Sequence, residues 1–351
     1  MPQLITGIQQ VGIGVADVDE AWSWYRHNFG MDVPVFDDEA DATLMKQFTG
    51  NEVHSRRAVL ALNMMGGGGF EIWQFKNRQP AAASKTLRFG DLGINAVKIK
   101  CTNPEATHKT LKARHSNDDC VSDLYHQPSI GSTFWVTDPY GNVFQVVKED
   151  SWFKKRADSD RAGGVCGVVI GVSDIDRSSS LYTDVLGFSS CLYDETGSFD
   201  DLPGGETYRR ACFLKPQKDE GAFSRLLGGI QVELIQNLSG EPRKIYRNRY
   251  WGDLGFIHVC FDVNNMDRLK ERCEEFGLPF IIDSANSFDM GEAAGRFSYI
   301  EDHDGTLIEF VQTHKLPVLK KWGWFLNLQN RKRQTPLPNW MLRLMSMNRV
   351  S

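Results

Sequence analysis

The 351-residue chain has no uninterrupted apolar run long enough to span a bilayer, and its N-terminus has no basic stretch ahead of an apolar one. Both absences argue against membrane insertion and secretion, so a cytoplasmic protein is expected. The seven cysteines are scattered, odd in number and without a CxxC pair, which fits reduced thiols rather than a disulfide framework or a zinc ribbon. Acidic residues are missing from positions 315–351, where eight Lys and Arg occur. With a net charge of −5 for the whole chain, the remainder carries −13, and so acidic a body is a poor partner for nucleic acid. The glycine run Met64–Gly69 lacks the Lys-Ser/Thr of a phosphate loop and precedes a strand, so it reads as a flexible hairpin tip. A composition of 41% hydrophobic and 24% charged residues is that of an ordinary globular chain, long enough for about two domains.

What the chain does contain is a repeat of itself. VGIGVADVD from Val11 returns as VVIGVSDID from Val168, and each copy runs on to a Gly at 30 or 187. Arg56-Arg57-Ala58 is echoed by Arg209-Arg210-Ala211, and Phe70-Glu71-Ile72 by Val232-Glu233-Leu234. Gly-Asp-Leu-Gly begins at Gly90 and again at Gly252, in both copies 19 residues after the repeated glutamate. Shared order and spacing indicate a duplication, with halves at 1–150 and 163–314, a polar linker near 150–164, and a basic, aromatic-rich extension at 315–351.

Each half divides again. A module opens with an alternating strand and then an N-cap: Asp17 with Glu20, Asn103 before Pro104, Asp174, and Asn265. Gly30, Gly187 and Gly277 are placed to end helices in the left-handed conformation. Modules two and four close with a turn and a last strand, Asp138–Asn142 before Phe144 and Asp302–Gly305 before Leu307. Four βαβββ units in series with such turns resemble the vicinal oxygen chelate superfamily, which includes glyoxalase I, methylmalonyl-CoA epimerase and extradiol dioxygenases. The resemblance covers about residues 5–314 and implies an α+β, glyoxalase-like fold in two tandem domains plus the extension.

In that superfamily a pair of modules forms a cleft with four ligand slots, two on first strands and two on last strands. The repeat leaves open whether modules pair within a half or across halves. With pairing inside each half, the C-terminal slots are Gly167, Glu233, His258 and Glu309. The N-terminal slots are Gln10, Glu71, Ala96 and Gln145. Glu233 and Glu309 each sit between apolar neighbours in a strand, where an unpaired carboxylate is costly. One imidazole and two carboxylates suit one divalent metal ion, Zn, Mn, Fe, Co or Ni. The expected metal ligands are therefore Glu233, His258 and Glu309, with Glu233 or Glu309 doubling as the catalytic base. In the N-terminal cleft of Gln10, Glu71, Lys98 and Gln145, Lys98 is expected to neutralise Glu71 in place of a metal. An inward Arg209 or Arg210 could clamp a substrate carboxylate or phosphate, the bland alternative being a surface ion pair.

The resemblance implies a metal-dependent lyase or isomerase that forms an enediolate by proton abstraction from a small, oxygen-rich substrate. An Fe(II) dioxygenase of the extradiol or hydroxyphenylpyruvate type is the alternative, set back by the lack of a second histidine. A non-catalytic small-molecule binding protein is the third reading. The extension, with Trp322, Trp324, Phe325, Trp340 and Met341, reads as an interfacial membrane helix or as a strap packing its aromatics over the acidic body. Pro336 and Pro338 and the body's charge favour the strap, and no membrane partner is expected.

Overall fold

The computed structural model describes residues 4–116, 119–127, 129–154, 160–285, 288–289, 294–319, 322–329, 331–332 and 334–350. The first module comprises β1 (Ile5–Gly14), α1 (Val18–Phe29), β2 (Val33–Asp41), β3 (Ser55–Leu62) and β4 (Gly69–Phe75). The second has β5 (Gly93–Cys101), α2 (Pro104–Arg114), β6 (Tyr125–Gln127), β7 (Gly131–Thr137) and β8 (Val143–Lys148). The third has β9 (Ala162–Gly171), α3 (Ile175–Ser180), β10 (Ser190–Gly197), β11 (Tyr208–Lys215), the single turn α4 (Ser224–Leu227) and β12 (Ile230–Asn237). In the fourth, β13 (Gly255–Val263) and α5 (Met266–Glu275) precede β14 (Ile282–Asp283), β15 (Phe288–Asp289), β16 (Ala294–Glu301) and β17 (Leu307–Leu319). The extension adds β18 (Trp324–Asn327) and α6 (Asn339–Leu344).

Local chemistry sets these boundaries as the sequence predicts. Asp17, Asn103, Asp174 and Asn265 each accept a hydrogen bond from the backbone N–H three residues on, which satisfies an otherwise orphaned donor of the first helical turn. Asp138 Oδ1 accepts from the N–H groups of Tyr140 and Asn142, and Asp302 Oδ1 from those of Asp304 and Thr306. Gly141 and Gly305 follow at φ 86° and 90°.

The strand order decides where the chemistry sits. One sheet runs β14-β16-β17-β13-β1-β4-β3-β2, with β15 and β18 paired at its margin, and the other runs β10-β11-β12-β9-β5-β8-β7-β6. Module one is therefore joined to module four, and module two to module three, through antiparallel β1–β13 and β9–β5 pairs. The halves at 1–150 and 163–314 are units of sequence, and each sheet takes one module from each. Alternation along the strands does the rest. Val11 and Ile13 of β1, Val97 and Ile99 of β5, Val168 and Ile170 of β9, and Val259 and Phe261 of β13 enter one continuous core. Gln10 and Gly12, at the intervening positions of β1, belong to the opposite face.

Two segments depart from expectation. The glycine run is no flexible tip: Gly66–Gly69 are buried and stitched to Gly164 and Val165, with Gly68 and Val165 exchanging two backbone hydrogen bonds of 2.8 Å. A Cβ on Gly67 would lie 2.7 Å from Gly164 C and one on Gly164 2.5 Å from Gly68 O, so close approach of two backbones demands glycine on both. The extension is a strap, but its aliphatic side chains are what pack. Leu328, Leu337, Leu342 and Met345 are buried beside Leu60 and Leu316, whereas Trp322 and Trp340 are 70% and 57% exposed. Arg349 ties the strap's end to Asp32 at 2.9 Å. No described helix is long and apolar enough to cross a membrane.

Candidate metal centre

Pairing across the halves assembles the four central strands β4-β1-β13-β17, and with them Glu71, Gln10, His258 and Glu309. The register forms two rows on one face of the sheet. Gly12 stands opposite both Glu71 and His258, and Cys260 stands opposite both Gln10 and Glu309. Four side chains converge between these rows. His258 Nε2 lies 3.0 Å from Glu309 Oε2 and 3.4 Å from Glu71 Oε2. Gln10 Nε2 lies 3.4 Å from Glu71 Oε2 and 3.5 Å from Glu309 Oε2.

These separations suit a shared ion. Atoms each about 2.1 Å from one centre lie about 3.0 Å apart in octahedral and about 3.4 Å apart in tetrahedral arrangement. Direction supports the same reading. His258 Nε2 is at ion-pair distance from two carboxylates, yet it makes no aligned hydrogen bond, and buried Gln10 Oε1 has no partner. Among the described residues, Glu71, His258 and Glu309 form the one group of three such donors with ligand atoms within 4.8 Å of one another. Turning the Gln10 amide over, which exchanges Nε2 for the partnerless Oε1, would add a third oxygen donor, so the residues fit a divalent cation. Without the ion, burial pushes His258 down, but the charges of Glu309 and Glu71 outweigh it and raise its pKa to about 9. Burial and Glu309 likewise hold the Cys260 thiol and the Tyr299 phenol well above their usual ranges.

The imidazole is clamped. Trp251 stacks against it at 8°, Tyr299 meets it edge-on with its hydroxyl 3.5 Å from Nδ1, and Gly12 makes room beneath. A Cβ at position 12 would fall 2.4 Å from His258 Cε1. Gly12→Ala should therefore tilt the ring and weaken metal binding by about 10- to 100-fold, as losses of support around a ligand do. Competition against a chromogenic chelator would measure it, and unchanged affinity would count against the clamp.

Glu233, expected among the ligands, lies instead in the other sheet. Lys98 Nζ is 2.7 Å from its Oε2 and Arg210 Nε donates to its Oε1 at 2.6 Å, while Arg210 Nη1 also holds Asp201 at 2.9 Å. Burial raises the Glu233 carboxyl, but Arg210 and then Lys98 more than offset it and bring the pKa down to about 2. The expected device is present with a different partner, since Lys98 neutralises Glu233 rather than Glu71. The repeat equates Ala96 with His258, Lys98 with Cys260, Gly167 with Gln10 and Gln145 with Glu309. The second cleft is thus a copy in which an ammonium replaces the ion's charge. A Cβ on Gly167 would sit 2.5 Å from Gln231 O and 3.1 Å from Lys98 Cδ, so the neighbouring strand's backbone excludes a side chain there and the lysine lies against the glycine. Phe89, Trp135, Leu202 and Tyr208 pack with Ala96 and Val169 in a separate apolar cluster there.

The arginines expected near substrate are engaged elsewhere. Arg209 bridges Asp176 and Asp194 at the surface, and Arg210 is locked to Glu233 and Asp201. It is Arg56 that lines the cavity over Glu71 and Glu309, a space of about 420 Å³. Tyr299, Trp251 and Gly12 were not foreseen. The repeat implies no function for them, and only the β1–β13 pairing brings Gly12 under His258.

Residues 167–298 match the family model described as Glyoxalase/Bleomycin resistance protein/Dioxygenase superfamily, a stretch that crosses from one sheet to the other. No curated protein matches the sequence significantly. Among solved structures, the chain is similar to a candidate dioxygenase from Bacillus subtilis at 12% identity, over 88% of this chain and 86% of that one, with a TM-score of 0.54. It is also similar to glyoxalase I from Zea mays at 16% identity, over 87% and 92%, with a TM-score of 0.53. At such identities the likeness is one of fold. The chain thus has an α+β, glyoxalase-like fold in two tandem domains, with a glyoxalase/bleomycin resistance protein/dioxygenase family-model domain at residues 167–298.

Proposed function

We propose that the protein is a metal-dependent lyase or isomerase of the glyoxalase/epimerase kind, acting on a small substrate with two adjacent oxygens. The observation that carries this is the convergence of the His258 imidazole, the Glu71 and Glu309 carboxylates and the Gln10 amide, of which Gln10, Glu71 and Glu309 line the cavity. A bound Zn, Mn, Fe, Co or Ni ion would polarise the substrate oxygens and acidify the neighbouring C–H. Glu71 and Glu309 both line the cavity, so either is placed to take that proton and return it, passing through an enediolate. Glu233, in the other sheet and saturated by two cations, has no part in this. Trp251 and Tyr299 orient His258, and the apolar walls exclude water that would exchange the proton.

The dioxygenase reading needs a second histidine, and the slot expected to hold Gly167 is filled in this cleft by Gln10. That supports proton transfer over dioxygen chemistry. The test is to load the protein with zinc and follow deuterium uptake from D2O at the α-carbon of an aryl α-hydroxyketone by NMR. Exchange at least about 100-fold above background, and lost in Glu309→Gln, is the expected result. Turnover confined to iron, with consumption of O2 and a catechol, would overturn the proposal.

A further inference from the structure

We infer that the cavity over Glu71 and Glu309 selects an apolar substrate, with an aromatic or branched aliphatic body and no charge beyond the oxygens presented to the metal. This rests on the metal reading above and narrows its substrate class. Trp73, Trp251, Leu60, Phe297, Leu316 and Met345 supply the walls. Leu316 comes from the end of β17 and Met345 from the C-terminal strap, so the basic extension contributes aliphatic surface to the site rather than its charge.

The charges in the cavity leave little for an ionic substrate. Two carboxylates, Glu71 and Glu309, balance a divalent ion. Arg56 is the one cation among the described lining residues, and it is already neutralised: Nη1 donates to Asp38 Oδ2 at 3.0 Å and to Asp38 O at 2.8 Å. Asp41 adds negative charge at the exposed rim. At the far corner Gln9 donates to Thr313 Oγ1 at 3.2 Å and to Asp262 Oδ1 at 3.4 Å, so the amide is engaged within the protein. A carboxylate or phosphate on the substrate body would therefore face Asp38 and Asp41 without a free counter-charge, and burying it there is prohibitive. An apolar body gains from every wall. The volume of about 420 Å³ lies within the range of small-molecule sites.

Hydroxamic acids, which present two adjacent oxygens to a metal, separate the parts of this inference. The full-length protein loaded with zinc would be titrated calorimetrically with acetohydroxamic acid, 4-phenylbutyrohydroxamic acid and the monohydroxamate of suberic acid. The phenyl compound should bind about 100-fold tighter than acetohydroxamate through burial of its body, and the distal carboxylate of the third should cancel most of that gain. Equal binding of the phenyl and acetyl compounds, or tightest binding of the carboxylate, would overturn the substrate class while leaving the metal site intact. If none binds the zinc-loaded protein better than the metal-free protein, the metal reading fails and takes this inference with it.

Discussion

Glu71→Gln and His258→Ala are expected to purify with less than about a tenth of the metal held by the parent protein, while Glu233→Gln retains the parental amount. The repeat with pairing inside each half would assign the opposite roles, because it sets Glu233 beside His258 and leaves Glu71 to a lysine. Strand pairing decides the matter. His258 Nε2 lies 3.4 Å from Glu71 Oε2, whereas Glu233 is consumed by Lys98 at 2.7 Å and Arg210 at 2.6 Å in the other sheet. Gln at position 71 keeps the shape but removes one of the two carboxylates of the candidate centre, and Ala at 258 removes its single imidazole. Inductively coupled plasma mass spectrometry on untagged parent and variants gives the answer directly. Metal lost from Glu233→Gln and kept by Glu71→Gln would refute the assignment. The identity of the ion found in the parent bears on the chemistry as well, iron favouring dioxygen and zinc, nickel, cobalt or manganese favouring proton transfer.

The ease with which the modules could be read, and the difficulty of reading their partnership, have one physical origin. Asp17, Asn103, Asp174 and Asn265 act within three residues of themselves, and Gly141 and Gly305 within one turn, so local sequence determines them. The ligand positions on each strand follow from a period of two, and all four residues of the centre occupy predicted slots. Which β1 edge meets which β13 edge depends instead on contacts between residues some 250 positions apart, such as Gly12 with His258. Every module offers a similar apolar first strand, so the pattern that identifies the modules cannot tell one partner from another. The glycine run adds another long-range contact. Gly66–Gly69 meeting Gly164 and Val165 holds β4 next to the start of β9, a contact between sheets and not within one. The extension is hard to read for a similar reason: its indoles dominate the sequence, but Leu337, Leu342 and Met345 are the side chains that find an apolar surface made by distant residues.

Glu233→Gln should cost about 3–5 kcal/mol of folding stability at neutral pH, the largest loss expected of any single exchange in the two clefts. Arg210 would keep Asp201, but Lys98, fully buried, would lose the carboxylate 2.7 Å away, its one ion-pair partner among the described residues. The pH dependence has a defined sign. Glu233 is held at about 2 in the folded chain, below an ordinary carboxyl at about 4.5, so its contribution is complete above about 4.5 and disappears as pH falls towards 2. A shift of that size corresponds to about 3 kcal/mol, in line with the cost of the substitution. Urea unfolding of parent and variant at a series of pH values should therefore give a gap that is constant near neutrality and closes in acid, because protonated Glu233 and Gln are nearly equivalent. Adding Lys98→Met to Glu233→Gln removes the stranded ammonium, and the double variant should recover at least half of the loss. A gap that persists at pH 2, or a double variant no more stable than the single one, would mean that shape rather than charge makes Glu233 indispensable to the second cleft.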